Sequence, residues 1–362
     1  MKNTFGSSVA VTLFGESHGD YIGAVIDGMA PGLFVDRAYL AQKLMLRRPA
    51  GAISTARREA DECKIVSGVL NDRTTGTPIT ILIPNENAKS DDYAPMAALA
   101  RPSHADYTAE CKYHGFQDVR GGGHFSGRIT AALVAAGAIC QYALEQKGIL
   151  IGTHVARCAG IADRTFSVLS EDIAALGQKT FAVLDEAAGE KMKEAITAAA
   201  ADGDSVGGIL ETAVCGMPAG VGEPWFDTLE SMLSHMMLSI PAVKGIEFGA
   251  GFAIADLRGS EANDPFRIEN GKVVTATNHN GGIGGGITNG MPILFRTVVK
   301  PTPTIFKPQR TVDIKTMEEA VLTPVGRHDP AIVHRARIVQ DAATAIVLCD
   351  ALAQRFGTDW FV

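Results

Sequence analysis

The sequence predicts one mixed α/β domain over residues 1–362, with paired strands built around strongly apolar helices. Three observations carry this. Short alternating runs occur in hairpin-like pairs, first at residues 8–14 and 21–29. Residues 128–147 are apolar nearly all round, and a long helical stretch spans 331–356; helices of this kind belong in a core. No linker, internal repeat or low-complexity segment divides the 362 residues, of which 46% are hydrophobic and 20% charged, so a single substantial core is expected.

A formal net charge of −7 argues against general nucleic-acid binding, which needs a basic face. It leaves room for an anionic small molecule held by a local cationic cluster. The six cysteines, 63, 111, 140, 158, 215 and 349, form no C-x-x-C pair, so neither a zinc site nor a disulfide framework is expected. There is no uninterrupted apolar run long enough to span a bilayer, and the first residues lack signal-peptide character. A cytoplasmic, membrane-free protein is the expectation.

In chain order, the first strand pair meets at Gly15-Glu16-Ser17-His18-Gly19. This tip fits the G-x-S-x-G elbow of serine hydrolases, but only fourteen residues precede it and a strand follows. His18, on a loop at a strand end, is the better candidate for chemistry. Residues 36–47 have helical spacing with Asp36 as cap. Arg47, Arg48, Arg57 and Arg58 then crowd a segment broken by Gly and Pro. Four like charges there repel one another until an anion arrives, so a basic flap is expected. Residues 63–70 and 79–83 read as strands and 84–100 as a polar loop.

The densest stretch is 101–130, RPSHADYTAECKYHGFQDVRGGGHFSGRIT. Arg101, Arg120 and Arg128 each offer a planar fork to carboxylate or phosphate. His104 titrates near neutrality. Gly121, Gly122 and Gly123 permit a sharp turn and close approach to a ligand. Ser126 is placed to cap the helix that follows. Together they suggest a site for a multiply anionic small molecule with a proton-transfer residue in it.

Residues 149–158 read as extended and 171–201 as mostly helical. Residues 206–215 alternate as a strand, and Asp227-Thr228-Leu229-Glu230 has the form of a capping box opening a helix to about Ser239. Residues 246–257 and 293–299 are further strands. Between them, residues 278–286 (NHNGGIGGG) make a second glycine loop that fits neither the dinucleotide fingerprint nor the P-loop. Lys300-Pro301-Thr302-Pro303-Thr304 is a proline-stiffened turn able to hold a phosphate or a ring edge. Arg327, His328 and Asp329 bring cation, imidazole and carboxylate together just before the last helix.

The series FGESHG (14–19), RREAD (57–61), RPSHADYT (101–108), RGGGHFSGRITA (120–131), MPAGVGEP (217–224), SIPAVKG (239–245), NHNGGIGGG, VKPTPTI and GRHDP resembles the chorismate synthase family from residue 5 to beyond 350. The resemblance implies a sandwich of central helices between antiparallel sheets, and a homotetramer. It also implies a reduced-FMN-dependent 1,4-elimination of phosphate from 5-enolpyruvylshikimate 3-phosphate, without net redox change. His18 would serve the leaving phosphate, His104 the reduced flavin near N1, and Asp329 proton movement at N5. Arg47, Arg48, Arg101, Arg128 and Arg327 would bind substrate charges. His124, Phe125, Ser126, Ala242, Gly285, Lys300, Pro301, Thr302, Pro303, Thr304 and Arg327 would lie against FMN. NADPH would bind only in a bifunctional member that reduces its own flavin. The family often has glycine where this chain has Ser103, and a further serine where it has Pro303. An apolar-flavoured His124-Phe125 pair replaces residues usually polar.

Overall fold

The computed structural model describes residues 2–49, 51, 53–54, 60–86, 98–324 and 329–362. Alternation builds the first sheet. Strands β1 (Thr4–Phe5), β2 (Ala10–Gly15) and β3 (Tyr21–Asp27) lead into helix α1 (Arg37–Arg47), and β4 (Lys64–Ser67) follows. A small hairpin, β5 (Val69–Leu70) with β6 (Arg73–Thr74), precedes β7 (Ile79–Pro84). The order is β1-β2-β3-β7-β4, every pair antiparallel. Ile22, Ala24, Ile26, Ile79, Ile81 and Ile83 are all fully buried, the one-face pattern that a period of two produces.

After α2 (Asp106–Tyr113) comes α3 (Thr130–Gln146), then β8 (Leu150–Cys158), β9 (Ile161–Ala162), α4 (Leu169–Leu176), α5 (Glu186–Ala201), β10 (Gly208–Cys215), α6 (Leu229–Ser239), β11 (Val243–Phe248) and α7 (Gly259–Ala262). Two hairpins follow, β12 (Phe266–Glu269) with β13 (Lys272–Thr275) and β14 (Ile283–Gly284) with β15 (Ile287–Thr288). The chain continues through β16 (Ile293–Val299), the hairpin β17 (Gln309–Asp313) with β18 (Glu318–Leu322), and α8 (Val333–Phe356). The second sheet runs β11-β16-β10-β8-β9, again antiparallel.

Helix α3 lies on β3 and β7, α8 lies on β8 and β10, and the two helices pack on each other. The layers are therefore sheet, helix, helix, sheet, as the resemblance implied. Gly137 sets how closely the helices approach. A methyl there would stand 2.4 Å from the Cβ of Ala342 and 2.5 Å from its carbonyl oxygen. Buried polar groups key α8 to its sheet: Thr297 Oγ1 donates to Gln340 Oε1 at 2.6 Å and Gln340 Nε2 to Thr212 Oγ1 at 2.7 Å. Asp350 of α8 accepts the backbone N–H groups of Ser7, Ser8 and Val9, stapling the first strands to the last helix. On the outer face of the second sheet Glu247, Arg296, Glu211 and His154 stand directly opposite one another on successive strands. His154 also bonds Asp163 at 2.7 Å and Glu211 at 3.0 Å.

The structure corrects four expectations. Residues 171–201 form two helices, not one: the chain breaks after Gly177 and restarts where Asp185 caps α5. The strand expected over 246–257 ends at Phe248. Gly249 and Gly251 turn left-handed, and Glu247 accepts from Phe252 N at 3.0 Å to start a 3₁₀ turn. The cap of α6 lies one residue later than the capping box placed it, with Thr228 accepting from Ser231 N. Finally, the stretch Gly127–Gln146 is apolar and long enough to cross a bilayer, but 83% of its most apolar window is buried inside the protein; it is a core helix. The caps at Asp36 and Ser126 form as the sequence indicated.

Candidate active site

The turn between β2 and β3 carries Ser17 and His18, both buried. Gly121, Gly122 and Gly123 pass over it with successive φ of 59°, 86° and 54°, a run of left-handed backbone open to glycine without strain. A methyl on Gly121 would lie 2.1 Å from His18 Cε1, so the glycine also makes room for the imidazole. Ser17 Oγ is 2.9 Å from His18 Nδ1 and donates toward the carbonyls of Arg120 and Gly121, both at 3.2 Å. It therefore accepts from Nδ1–H and fixes that tautomer. With only 1% of Ser17 exposed and its hydroxyl engaged by His18 and two backbone carbonyls, the serine acts as a strut for His18. His124 is turned back to the Gly15 carbonyl at 2.8 Å, while Phe125 stays half exposed with its ring edge against Tyr113.

Below this turn two arginines share one carboxylate. Arg47, the last residue of α1, reaches Asp61 Oδ2 at 3.3 Å, Thr130 Oγ1 at 2.9 Å and the Gly127 carbonyl at 3.0 Å. Arg128 pairs with Asp61 Oδ1 and donates to Asn85 Oδ1 at 3.0 Å and the Pro84 carbonyl at 3.1 Å. Both cations are buried, and the Asp61 side chain is fully so. Such charges are tolerable in a core only when paired and hydrogen-bonded. Arg48 Nε is also buried and has no hydrogen-bond partner among the described residues.

Arg101 stands close to Gly122, its Nη2 3.8 Å from where a Cβ on that glycine would lie. It grips Asp106 in a two-pronged contact, Nε to Oδ2 at 2.8 Å and Nη2 to Oδ1 at 2.7 Å. Burial would raise the Asp106 carboxyl, but the hydrogen bonds and charge of Arg101 outweigh it and hold the carboxyl below its usual range. The Arg101 carbonyl accepts from His104 N at 3.1 Å. His104 Nε2 is 2.7 Å from Thr304 Oγ1, two hundred residues on. Lys300 Nζ donates to the Ser103 carbonyl at 2.7 Å, and Lys300 N to the Ala242 carbonyl at 3.0 Å. A groove here is lined by Ser103, Ser205, Lys300, Pro301, Thr302, Pro303 and Gln309. In it Thr302 Oγ1 and Gln309 Oε1 are buried without a hydrogen-bond partner among the described residues. Unmatched polar atoms of this kind fit a bound molecule rich in hydroxyl and amide groups.

Asp329 lines a small cavity with Thr304 and pairs with Arg335, which in turn donates to the Arg47 carbonyl. Contacts thus run from Arg101, beside Gly122, through His104 to Thr304, and from Asp329, which shares a cavity with Thr304, through Arg335 to Arg47. Gly285 stands apart from Ala242 and Lys300. Its neighbour Gly286 accepts from Leu229 N at the start of α6, whereas Ala242 follows the end of that helix, about 16 Å away for eleven residues. Arg327, Arg57 and Arg58 lie outside the described residues. Sequence reasoning missed Asp61, Asn85, Thr130, Gln309 and Arg335 as site partners; for Asp61 a signal existed, its place at the end of RREAD.

Comparison with known proteins gives the same answer from outside. The chorismate synthase family profile matches residues 9–353. The chain is 46% identical over 350 residues to the chorismate synthase of Pyrococcus abyssi, covering 97% of each. It is 46% identical over 359 residues to that of Dehalococcoides mccartyi, covering 99% of this chain and 98% of the other. A crystal structure of a chorismate synthase superposes with a TM-score of 0.77 at 28% identity, covering 97% of this chain and 94% of that one. With motifs, layered fold and near-complete alignment in agreement, the chain belongs to the chorismate synthase family.

Proposed function

We propose that this carbon–oxygen lyase uses reduced FMN to eliminate phosphate from 5-enolpyruvylshikimate 3-phosphate, giving chorismate for aromatic amino acid biosynthesis. The observation that supports the residue assignment is the run of contacts through Arg101, His104, Thr304, Asp329, Arg335 and Arg47, with a groove holding unmatched buried polar atoms beside Ser103 and Lys300. In the elimination one C–O bond to phosphate and one ring C–H bond break. Two charges must therefore be managed at separate places, and His18 and Asp329 are the groups proposed for them.

His18 hydrogen-bonds the leaving phosphate, its ring held by Ser17. Arg101, stiffened by Asp106, and the Arg47–Arg128 pair orient the substrate's carboxylates and phosphate, and the family resemblance adds Arg48 and Arg327 to the substrate ligands. Lys300, Thr302, Thr304 and the groove between prolines 301 and 303 hold the flavin, joined by His124, Phe125, Ser126 and Ala242; Gly285, which the resemblance also implied, stands apart from this cluster. When bound, reduced FMN supplies an electron-rich ring that assists departure of phosphate and is not consumed. His104, oriented by Thr304, holds a proton at the flavin, and Asp329 takes part in removing the ring hydrogen. Exposed apolar side chains at Trp225, Phe226, Phe252, Phe266 and Ile268 support a homotetramer, since large exposed apolar groups mark association surfaces. The cytoplasm is the proposed compartment.

The test is an anaerobic assay with reduced FMN and 5-enolpyruvylshikimate 3-phosphate, following chorismate and phosphate together. Equimolar products over many turnovers, with no net flavin oxidation, are expected. His104→Ala should slow turnover about 100-fold or more with the fold intact. Stoichiometric flavin oxidation would instead make the chain a flavin oxidoreductase, and wild-type turnover in His104→Ala would remove that histidine from the mechanism.

A further inference from the structure

Arg335 lies in the first turn of α8, and nothing in the local sequence marks it. Its side chain nevertheless has two well-defined engagements. Nη1 stands 2.5 Å from Asp329 Oδ2, and Nε donates to the carbonyl of Arg47 at 3.0 Å. Both side chains of the pair are mostly withdrawn from solvent, Asp329 at 10% and Arg335 at 20% exposure. Removing one partner of a pair so placed leaves the other charge poorly solvated and uncompensated, which costs more than at the surface.

Asp329 precedes α8 and is not its cap: the cap position belongs to Ile332, which makes no side-chain cap bond. Its direction is therefore not set by the helix start. The Arg47 carbonyl belongs to the last turn of α1, where carbonyls have no intrahelical donor. One guanidinium thus serves both the end of α1 and the segment before α8. Its planar fork can face two acceptors at a fixed angle, which an ammonium cannot reproduce. The neighbouring His334 does not compete for Asp329. Burial pushes that imidazole down to about 4, and its Nε2 is engaged with Ser54 Oγ at 2.8 Å.

We infer that Arg335 is the positioning residue for Asp329, holding that carboxylate in its working orientation and in register with Arg47 across the site. This rests on the reading of Asp329 as the group that handles the ring hydrogen. Losing the brace should leave substrate binding largely intact and misdirect the proton step. The cost should therefore fall on kcat more than on KM.

The experiment is a double-mutant cycle with reduced FMN and 5-enolpyruvylshikimate 3-phosphate, measuring kcat and KM for Arg335→Ala, Asp329→Asn and the double variant. Circular dichroism and gel filtration serve as controls for folding. Arg335→Ala should lower kcat about 10- to 100-fold with KM changed less than about 3-fold. Added to Asp329→Asn, it should lower kcat by no more than about 2-fold, because interacting residues are non-additive. Methylguanidinium in solution should restore part of the turnover of Arg335→Ala but none in the double variant, a response that a purely structural arginine would not give. Losses that multiply in the double variant, or wild-type kcat in Arg335→Ala, would overturn the inference while leaving Asp329 in place. Wild-type kcat in Asp329→Asn would overturn the reading of Asp329 itself, and the inference with it. Should Arg335→Ala not fold, Arg335→Lys takes its place in the same cycle, with the same two patterns deciding.

Discussion

Ser103 adopts a φ of 61°, left-handed backbone that a residue with a Cβ occupies only at a cost. Its carbonyl is held there by Lys300, next to His104. The strain thus sits where the proposed cofactor turn meets the proposed proton-transfer residue. Ser103→Gly should raise the unfolding free energy by about 0.5–1 kcal/mol, read from a urea melt; an unchanged or lower midpoint would show that the serine makes up its strain elsewhere. At this scale much of the site was legible. Arginines, histidines and a glycine triplet packed into thirty residues announce an anion site by type and spacing. What sequence could not show is partnership across the chain. Nothing in the neighbourhood of His104 names Thr304 as its hydrogen-bond partner, or Asp61 as the carboxylate under both Arg47 and Arg128. Such pairs are created by tertiary closure and leave no periodic signal.

At the scale of elements, apolar character marked α3 and α8 as central and alternation marked the strands, because burial on one face or all round is written directly into residue order. The misjudged elements share a cause. Gly177, Gly249 and Gly251 end elements that apolar patterning alone would continue. Gly137 is a different case, a glycine inside a helix kept for contact rather than for turning. Its neighbour Ala342 leaves no room for a side chain. Gly137→Val should therefore push α3 and α8 apart and lower stability by about 1–3 kcal/mol, even though valine is the better helix former of the two. The measurement is the denaturation midpoint of the variant. A loss no larger than about 0.5 kcal/mol would mean the helices can slide at little cost.

For the whole molecule, two buried histidines bound the pH range of stability from opposite sides. His334 is driven down to about 4 by burial, with Arg335 lowering it and Asp329 raising it. A group depressed in the folded state contributes stability above its unfolded value, near 6.5, that is lost as pH falls through the folded value. For His334 this loss is about 3 kcal/mol by pH 4, at 1.36 kcal/mol per pH unit. His154 has the reverse sign. Burial pushes it down, but Asp163 and Glu211 outweigh that and raise it, so its contribution is complete below the unfolded value and fades as pH rises through the folded one. Urea melts at pH 7 and pH 4 should show a smaller acid loss for His334→Gln than for the parent, and an equal loss would contradict the assignment.

Asp350 holds the backbone of Ser7, Ser8 and Val9 across more than three hundred residues of sequence, and α8, to which it belongs, is the layer on which the second sheet rests. During synthesis the first sheet is therefore made long before the helix that anchors it exists. The growing chain carries apolar strands and α3 with one face uncovered, a state prone to association with other chains. Closure depends on contacts of very long sequence separation, which form slowly. A nascent chain of this architecture is expected to leave apolar surface uncovered for most of its synthesis, until the last helix emerges.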